Sequence, residues 1–169
     1  MRPDRDPTYP TVADLSAVHE VVAEHPRTEP GLRDAGALDA AVGTAVDGPA
    51  SGGRPAVAAR LCRLLVANHP FVDGNKRTGL RALVLTFELG GGTLRYGADA
   101  ESLVRLLATD ERMVDIAHVA DYLDRQSTDG EAPDESTLTD PERRTAFVRE
   151  RTREDIEAHR ELYDRLADS

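Results

Sequence analysis

Apolar side chains recur at helical spacing along most of the chain, and that period limits what it can fold into. Residues three and four apart share one face of a helix, and the pattern returns in segment after segment. Leu15, Val18 and Val22 mark a first helix near residues 12–24. Ala37, Leu38, Ala41, Val42 and Ala45 mark a second near 34–46. After the turn DGPASGGR, Pro55 is suited to open a strongly apolar third helix with Val57, Leu61, Leu64, Leu65 and Val66. A fourth, near 75–89, carries Leu80, Leu83, Val84 and Phe87 and stops at Gly90-Gly91-Gly92. Asp99 is placed to cap a fifth that holds Leu103, Leu106 and Leu107, and a sixth spans residues near 113–124 with Val114, Ile116, Val119, Ala120 and Leu123. Only Thr93 to Tyr96 reads as extended. The expected fold class is all-α, a compact bundle of about six helices.

The 169-residue chain is long enough for one core and an appendage, and its charge divides it. Residues 126–169 hold 13 acidic and 7 basic side chains, a net −6 out of −10 for the whole. Within them, QSTDGEAPDESTLTD (126–140) offers only Ala132 and Leu138 as apolar groups, too few to order the segment by burial. The expected organisation is a main domain at 1–125, an acidic flexible linker at 126–140 and a helical extension at 141–169. Asp140-Pro141-Glu142 starts the extension as N-cap and first-turn proline. Its helix runs to Leu166 with a sparse apolar face, Phe147, Ile156, Tyr163 and Leu166, that needs a partner surface.

Composition excludes several classes. With 31 acidic and 21 basic residues, the chain repels a phosphate backbone, so no nucleic-acid partner is expected. Twenty arginines beside one lysine fit a high-salt cytoplasm, where a charged surface maintains solubility, and fit a GC-rich genome equally well. No apolar run approaches the roughly 20 residues of a membrane helix, and MRPDRDPTYP lacks the apolar core of a signal peptide. A single cysteine, Cys62, excludes an internal disulfide framework. A cytoplasmic protein with no membrane partner is expected.

Between the two most apolar helices lies a run that belongs to neither, His69-Pro70-Phe71-Val72-Asp73-Gly74-Asn75-Lys76-Arg77. From residue 60 to 81 five side chains are basic (Arg60, Arg63, Lys76, Arg77, Arg81) and one, Asp73, is acidic; if they converge, they mark a site for a small polyanion. Pro70 ends the preceding helix at or before His69 and leaves that imidazole at the rim. Phe71 is the structural anchor that pins the loop into the core. Gly74 and Asn75 open a helix whose free N–H groups and positive dipole end favour a phosphate. Lys76 and Arg77 oppose that dipole in the first turn, a conflict that a bound anion resolves. Asp73 is a hard oxygen ligand suited to a Mg²⁺ that bridges nucleotide oxygens. Histidine titrates nearest neutrality, so His69 is the group to take a proton from an attacking hydroxyl. Base, metal ligand and anion cradle together imply transfer of a phosphorus-containing group to a hydroxyl.

HPFVDGNKR resembles the signature of the Fic/Doc superfamily, in which a histidine and a phenylalanine alternate before an acidic residue, Gly-Asn or Ala-Asn, and an arginine. A chance match of six specified residues is on the order of one in a million at average usage, which sets coincidence aside. The chain looks closest to the death-on-curing (Doc) toxins. Its Asn75-Lys76-Arg77-Thr78 has lysine where Fic adenylyltransferases usually have glycine, and Leu80 stands where those enzymes carry a second arginine. Arg81 lies one step, about 100°, further round the helix. GLRDAGAL (31–38) also looks like a region common in Doc-like chains, so the resemblance covers roughly residues 12–125.

The resemblance implies a Fic/Doc-like helical bundle that uses ATP and Mg²⁺. Fic enzymes move AMP from ATP to a protein hydroxyl. Doc toxins are kinases, with elongation factor Tu as their known target, and arrest translation until a small antitoxin silences them. Carried onto this chain, His69, Asp73 and Arg77 are the catalytic residues, Asp73 the Mg²⁺ ligand, and Gly74, Asn75, Lys76 and Arg77 the phosphate site. The expected function is phosphate transfer to a protein hydroxyl, on elongation factor Tu or its archaeal counterpart. The alternatives are a Fic-type adenylyltransferase and an inactive binding module. His19, His25, His118 and His159 are expected to be exposed or structural, and Cys62 buried and inert. The Ser/Thr-x-x-x-Glu-Gly/Asn pattern of Fic inhibitory helices is incomplete at Ser127 to Glu131, where Ala132 follows, so no built-in inhibitor of that kind is expected.

Overall fold

A computed structural model describes residues 6–47, 52–109 and 114–167. In chain order the elements are α1 (Val12–Val22), α2 (Ala35–Asp47), α3 (Gly53–Asn68), α4 (Asn75–Leu89), β1 (Gly92–Leu94), α5 (Ala98–Thr109), α6 (Ile116–Gln126), β2 (Ser127–Asp129), α7 (Glu135–Thr139), α8 (Pro141–Ala158) and α9 (Arg160–Ala167). The all-α expectation holds, with a two-stranded antiparallel sheet as the only β structure among the described residues. The six helices expected up to residue 125 are all present. Residues 48–51 of the expected turn, and Met113 at the expected start of the sixth helix, lie outside the described residues. No helix of the described residues is long and apolar enough to cross a membrane.

Helix α4 is the axis of the bundle. All of its residues except Lys76 and Glu88 are buried, the mark of a helix surrounded by others. Its Leu80, Leu83, Val84 and Phe87 join Cys62 and Val66 of α3, Val104 and Leu107 of α5, and Leu123 of α6 in the main cluster. Ala82 faces a second cluster with Leu15, Leu38, Leu61 and Phe71, and Leu85 and Leu89 face a third with Val18, Val22 and Val148. The α3–α4 approach depends on Gly79: a Cβ there would lie 2.7 Å from Val66 Cγ1 and 3.4 Å from the Cys62 carbonyl oxygen.

Residues 126–140 differ from the expected linker. Ser127–Asp129 pairs with β1, Gly92 opposite Asp129 and Leu94 opposite Ser127, and Leu138 packs beside the third cluster. Order comes from a partner strand rather than from the segment's own apolar content. The expected helix over 141–166 is two helices that meet at His159, whose φ of −123° and ψ of 33° leave the helical region. Asp140 caps α8 through the Glu142 and Arg143 amides as anticipated.

Nor is this C-terminal part an appendage. Leu162, Tyr163 and Leu166 of α9 lie in the main cluster and Val148 of α8 in the third. Two buried arginines tie it down. The Arg144 guanidinium meets both Asp14 carboxylate oxygens at 2.8–3.1 Å and donates to the carbonyls of Pro7, Tyr9 and Leu138. Arg81 of α4, fully buried, pairs with Glu88 on its own helix and with Asp155 of α8 at 3.1 Å, and donates Nε to Thr152 Oγ1. Asp155 also accepts from Tyr96 at 2.6 Å and from Tyr163 at 3.2 Å.

Removing one member of a buried charge cluster strands the others without counter-charge, at a cost of about 3–5 kcal/mol. Urea denaturation of Arg81→Met is expected to show a loss of that size. Arg149→Met, which breaks the exposed pair to Glu20, should leave the midpoint nearly unchanged.

Candidate active site

The loop between α3 and α4 is shaped mostly by what its main chain bonds to. Pro70 lacks the N–H that would continue α3, and His69 leaves the helix in the left-handed region, φ 49° and ψ 59°, the only non-glycine residue with positive φ among those described. Its side chain is exposed. Phe71 is 2% exposed and packs into the second cluster, as its anchor role requires. The His19 ring stacks on it face to face, with centroids 4.0 Å apart and planes 7° from parallel. His19 Nε2 donates to the Asp73 carbonyl at 2.8 Å. Asn75 closes the turn: its Oδ1 accepts from the Phe71 N–H at 3.0 Å and its Nδ2 donates to the Phe71 carbonyl at 2.9 Å.

A second segment, residues 28–34, runs alongside. Val72 N–H donates to the Gly31 carbonyl at 3.0 Å, and the amides of Arg33 and Asp34 donate to the Pro70 carbonyl at 2.8 and 2.9 Å. The Glu29 amide reaches Asp73 Oδ2 at 3.2 Å while the Gly74 amide holds Oδ1 at 2.8 Å. Two main-chain donors therefore aim the half-buried carboxylate, and each oxygen keeps a lone pair. Gly74 precedes α4 with φ +79°, and a Cβ there would lie 2.9 Å from Val22 Cγ1.

The first turn of α4 carries no acidic residue and takes no side-chain cap, so its positive end faces the loop. Lys76 is half-buried there. Arg77, 4% exposed, donates Nη1 to Thr28 Oγ1 at 2.6 Å. It also lines a cavity of about 350 Å³ whose wall is mixed, with Val21, Val22, Ile156 and Tyr163 beside Glu24, Arg153, Glu157, Arg160 and Asp164. Among the described residues no group of three or more His, Cys, Asp or Glu side chains could hold a metal by itself. Asp73 fits a Mg²⁺ that takes its remaining ligands from substrate phosphates and water.

Two sequence expectations change. The five basic residues of 60–81 do not converge: Arg60 donates to the Ala45 carbonyl toward the other end of α3, and Arg81 is enclosed by Glu88 and Asp155. Of the five, only Lys76 and Arg77 stand at the loop. The Asn75 side chain, expected at the phosphate, is committed to Phe71, which leaves its main-chain amide on that side. His19 takes one of the two roles expected of it, a structural one, supporting the loop. Sequence reasoning missed two residues: Arg33 bonds the end of α3, and Thr28 meets Arg77. The spacing of Leu15, Val18, His19 and Val22 places His19 in the buried stripe of α1, and that signal was available. The partners of Arg33 and Thr28 lie more than thirty residues away and no local pattern announces them. Cys62 is core as expected, its thiol pushed up to about 12 by burial.

A comparison with known families covers this loop. Residues 9–87 match the Fic/DOC family. The matched segment contains α1 to α3, the loop and nearly all of α4, so the Fic/DOC match includes every loop residue described above. The β pair, α5 to α9 and, of the buried charge cluster, every member but Arg81 lie outside it. No curated protein matches the chain.

Burial holds the His19 imidazole below the usual histidine range, against the hydrogen bond it donates to the Asp73 carbonyl. His159 is raised, first by its hydrogen bond to the Asp155 carboxylate. The signs are opposite. Below about pH 6.5 the unfolded chain protonates His19 before the folded one does, so acidification removes the stability that neutral His19 contributes. The His159 contribution is complete below that value and is lost as pH rises through its folded pKa. NMR titration should place His19 below and His159 above about 6.5. His159→Gln should lower the denaturation midpoint more at pH 6 than at pH 8.

Proposed function

We propose that the chain transfers a phosphate from ATP to a hydroxyl of a protein, in the manner of Doc toxins. The observation that carries the reading is the outward face of the loop. His69, Asp73, Lys76 and the uncapped start of α4 are presented together, while Phe71, Asn75 and His19 hold the main chain behind them. The amides of the first turn and the charges of Lys76 and Arg77 bind the donor phosphates. Bound Mg²⁺, held by Asp73, supplies charge neutralisation across the phosphate oxygens. His69 takes the proton of the acceptor hydroxyl as that oxygen attacks.

Phosphate transfer rather than AMP transfer is favoured by the arginine arrangement. Adenylyltransferases of this family bring a second arginine to the nucleotide. Here Leu80 fills that position and is 1% exposed in the main cluster, and Arg81 is turned into the core. The donor phosphates therefore meet Arg77 alone, with Lys76 beside it. The acceptor in this reading is a translation elongation factor of the Tu type, and the inhibiting partner a small antitoxin.

The test incubates the protein with Mg²⁺-ATP and elongation factor and reads the intact mass of the factor. A phosphate-sized gain is expected, falling by about 10²–10⁴-fold in rate in His69→Ala. Asp73→Asn should lose activity and its dependence on Mg²⁺ concentration. An AMP-sized gain assigns the adenylyltransferase chemistry instead, and ATP binding with no transfer to any acceptor assigns the binding module.

A further inference from the structure

We propose that Arg33 is a positioning residue for His69: its guanidinium fixes the left-handed backbone that aims the imidazole. Arg33 Nε donates to the His69 carbonyl at 2.6 Å and Nη2 to the Asn68 carbonyl at 2.7 Å. These are the last carbonyls of α3, which a helix leaves without intrahelical partners, and a cation there also meets the negative end of the dipole. The same residue donates its amide to the Pro70 carbonyl. Arg33 thus holds three consecutive carbonyls, those of residues 68, 69 and 70, across the point where the chain leaves the helix. The segment bearing it is itself fixed, because Asp34 caps α2 through the Ala37 amide at 2.9 Å and Gly31 accepts from Val72.

The arrangement is specific to the guanidinium. A positive φ is costly for a side chain with a Cβ, and strain of this kind persists only where the surroundings over-determine it. Two parallel N–H donors of fixed spacing constrain both peptide planes at once, which a single ammonium point donor does not. The direction of the His69 Cα–Cβ bond follows from those planes. Arg33 is exposed and contributes nothing to the core, so its loss leaves the bundle intact and acts on the loop exit.

The proposal rests on the proposed role of His69 as base, and its test separates the two. In NMR spectra of Arg33→Ala, the carbonyl, Cα and Cβ shifts of His69 are expected to leave their left-handed values while those of α4 and the main cluster stay in place. The kcat for phosphate transfer should fall about 10- to 100-fold with the KM for ATP unchanged, and Arg33→Lys should recover part of it. Arg33→Ala should lower the urea midpoint less in wild type, where leaving the left-handed region releases strain, than in His69→Gly, where there is no strain to release. His69 shifts that remain left-handed in Arg33→Ala overturn the proposal, as does an equal loss of midpoint in both backgrounds. If the wild-type protein transfers nothing to any acceptor, the functional reading falls, while the shift and midpoint measurements still decide the positioning role.

Discussion

A guanidinium in a protein interior must bring its counter-charges with it, and Arg81 is fully buried in the middle of the central helix. Much of the architecture follows from that constraint. Glu88, two turns along the same helix, supplies one carboxylate and α8 must come close enough to supply another. Asp155 in turn gathers Tyr96 from the β1–α5 connection, Tyr163 from α9 and His159 from the joint between α8 and α9. Burial alone would raise the Asp155 carboxyl; the hydrogen bonds of His159 and Tyr96 and the Arg81 charge outweigh it and hold the group below the usual range. One charge placed inside α4 therefore organises four other elements. It also removes Arg81 from the nucleotide side of the helix, although Arg77 precedes it by only four residues.

The loop is built on the opposite principle. The side chains that hold it, His19, Asn75 and Arg33, bind main-chain groups and leave the reactive side chains outward. Support and chemistry are thus assigned to different residues, which lets the frame be rigid without occupying the groups that must meet substrate. Asp73 takes part in both, since its carbonyl receives His19 while its carboxylate is aimed by the Gly74 and Glu29 amides.

Period and punctuation carried most of the bundle. Leu80, Leu83, Val84 and Phe87 placed α4, Gly90 ended it, and Asp140-Pro141 started α8, because each signal is local and each residue makes its bond within a turn or two. The loop was legible for the same reason, as nine consecutive residues hold its chemistry. What stayed hidden depends on distant partners. Residues 126–140 read as too polar to order, and they are ordered by β1, more than thirty residues upstream. The sparse apolar face of 141–166 gave no hint that Arg144 would reach Asp14. The basic residues of 60–81 mark an anion site only where they converge, and distance keeps Arg60 from it: on a helix, Arg60 and His69 are separated by about 13 Å of rise.

The chain carries a net charge of −10, yet Lys76 and Arg77 stand together at the loop. Its acids are largely engaged elsewhere. Glu20 on α1 and Glu24 just past its end pair with Arg149 and Arg153 on α8, and Glu101 on α5 pairs with Arg105 and with Arg165 on α9. Each pair cancels its own field within a few ångströms, and beyond about 8–10 Å salt screens what remains. The first turn of α4, by contrast, has no acidic residue and carries the only lysine of the chain, with Asp73 beside it and Glu24, Glu157 and Asp164 along the cavity that Arg77 lines. An anion approaching the loop meets the local field rather than the net charge. The arginine–carboxylate pairs that fasten α8 and α9 to the bundle therefore serve the site as well, because they neutralise acids that would otherwise stand open beside it.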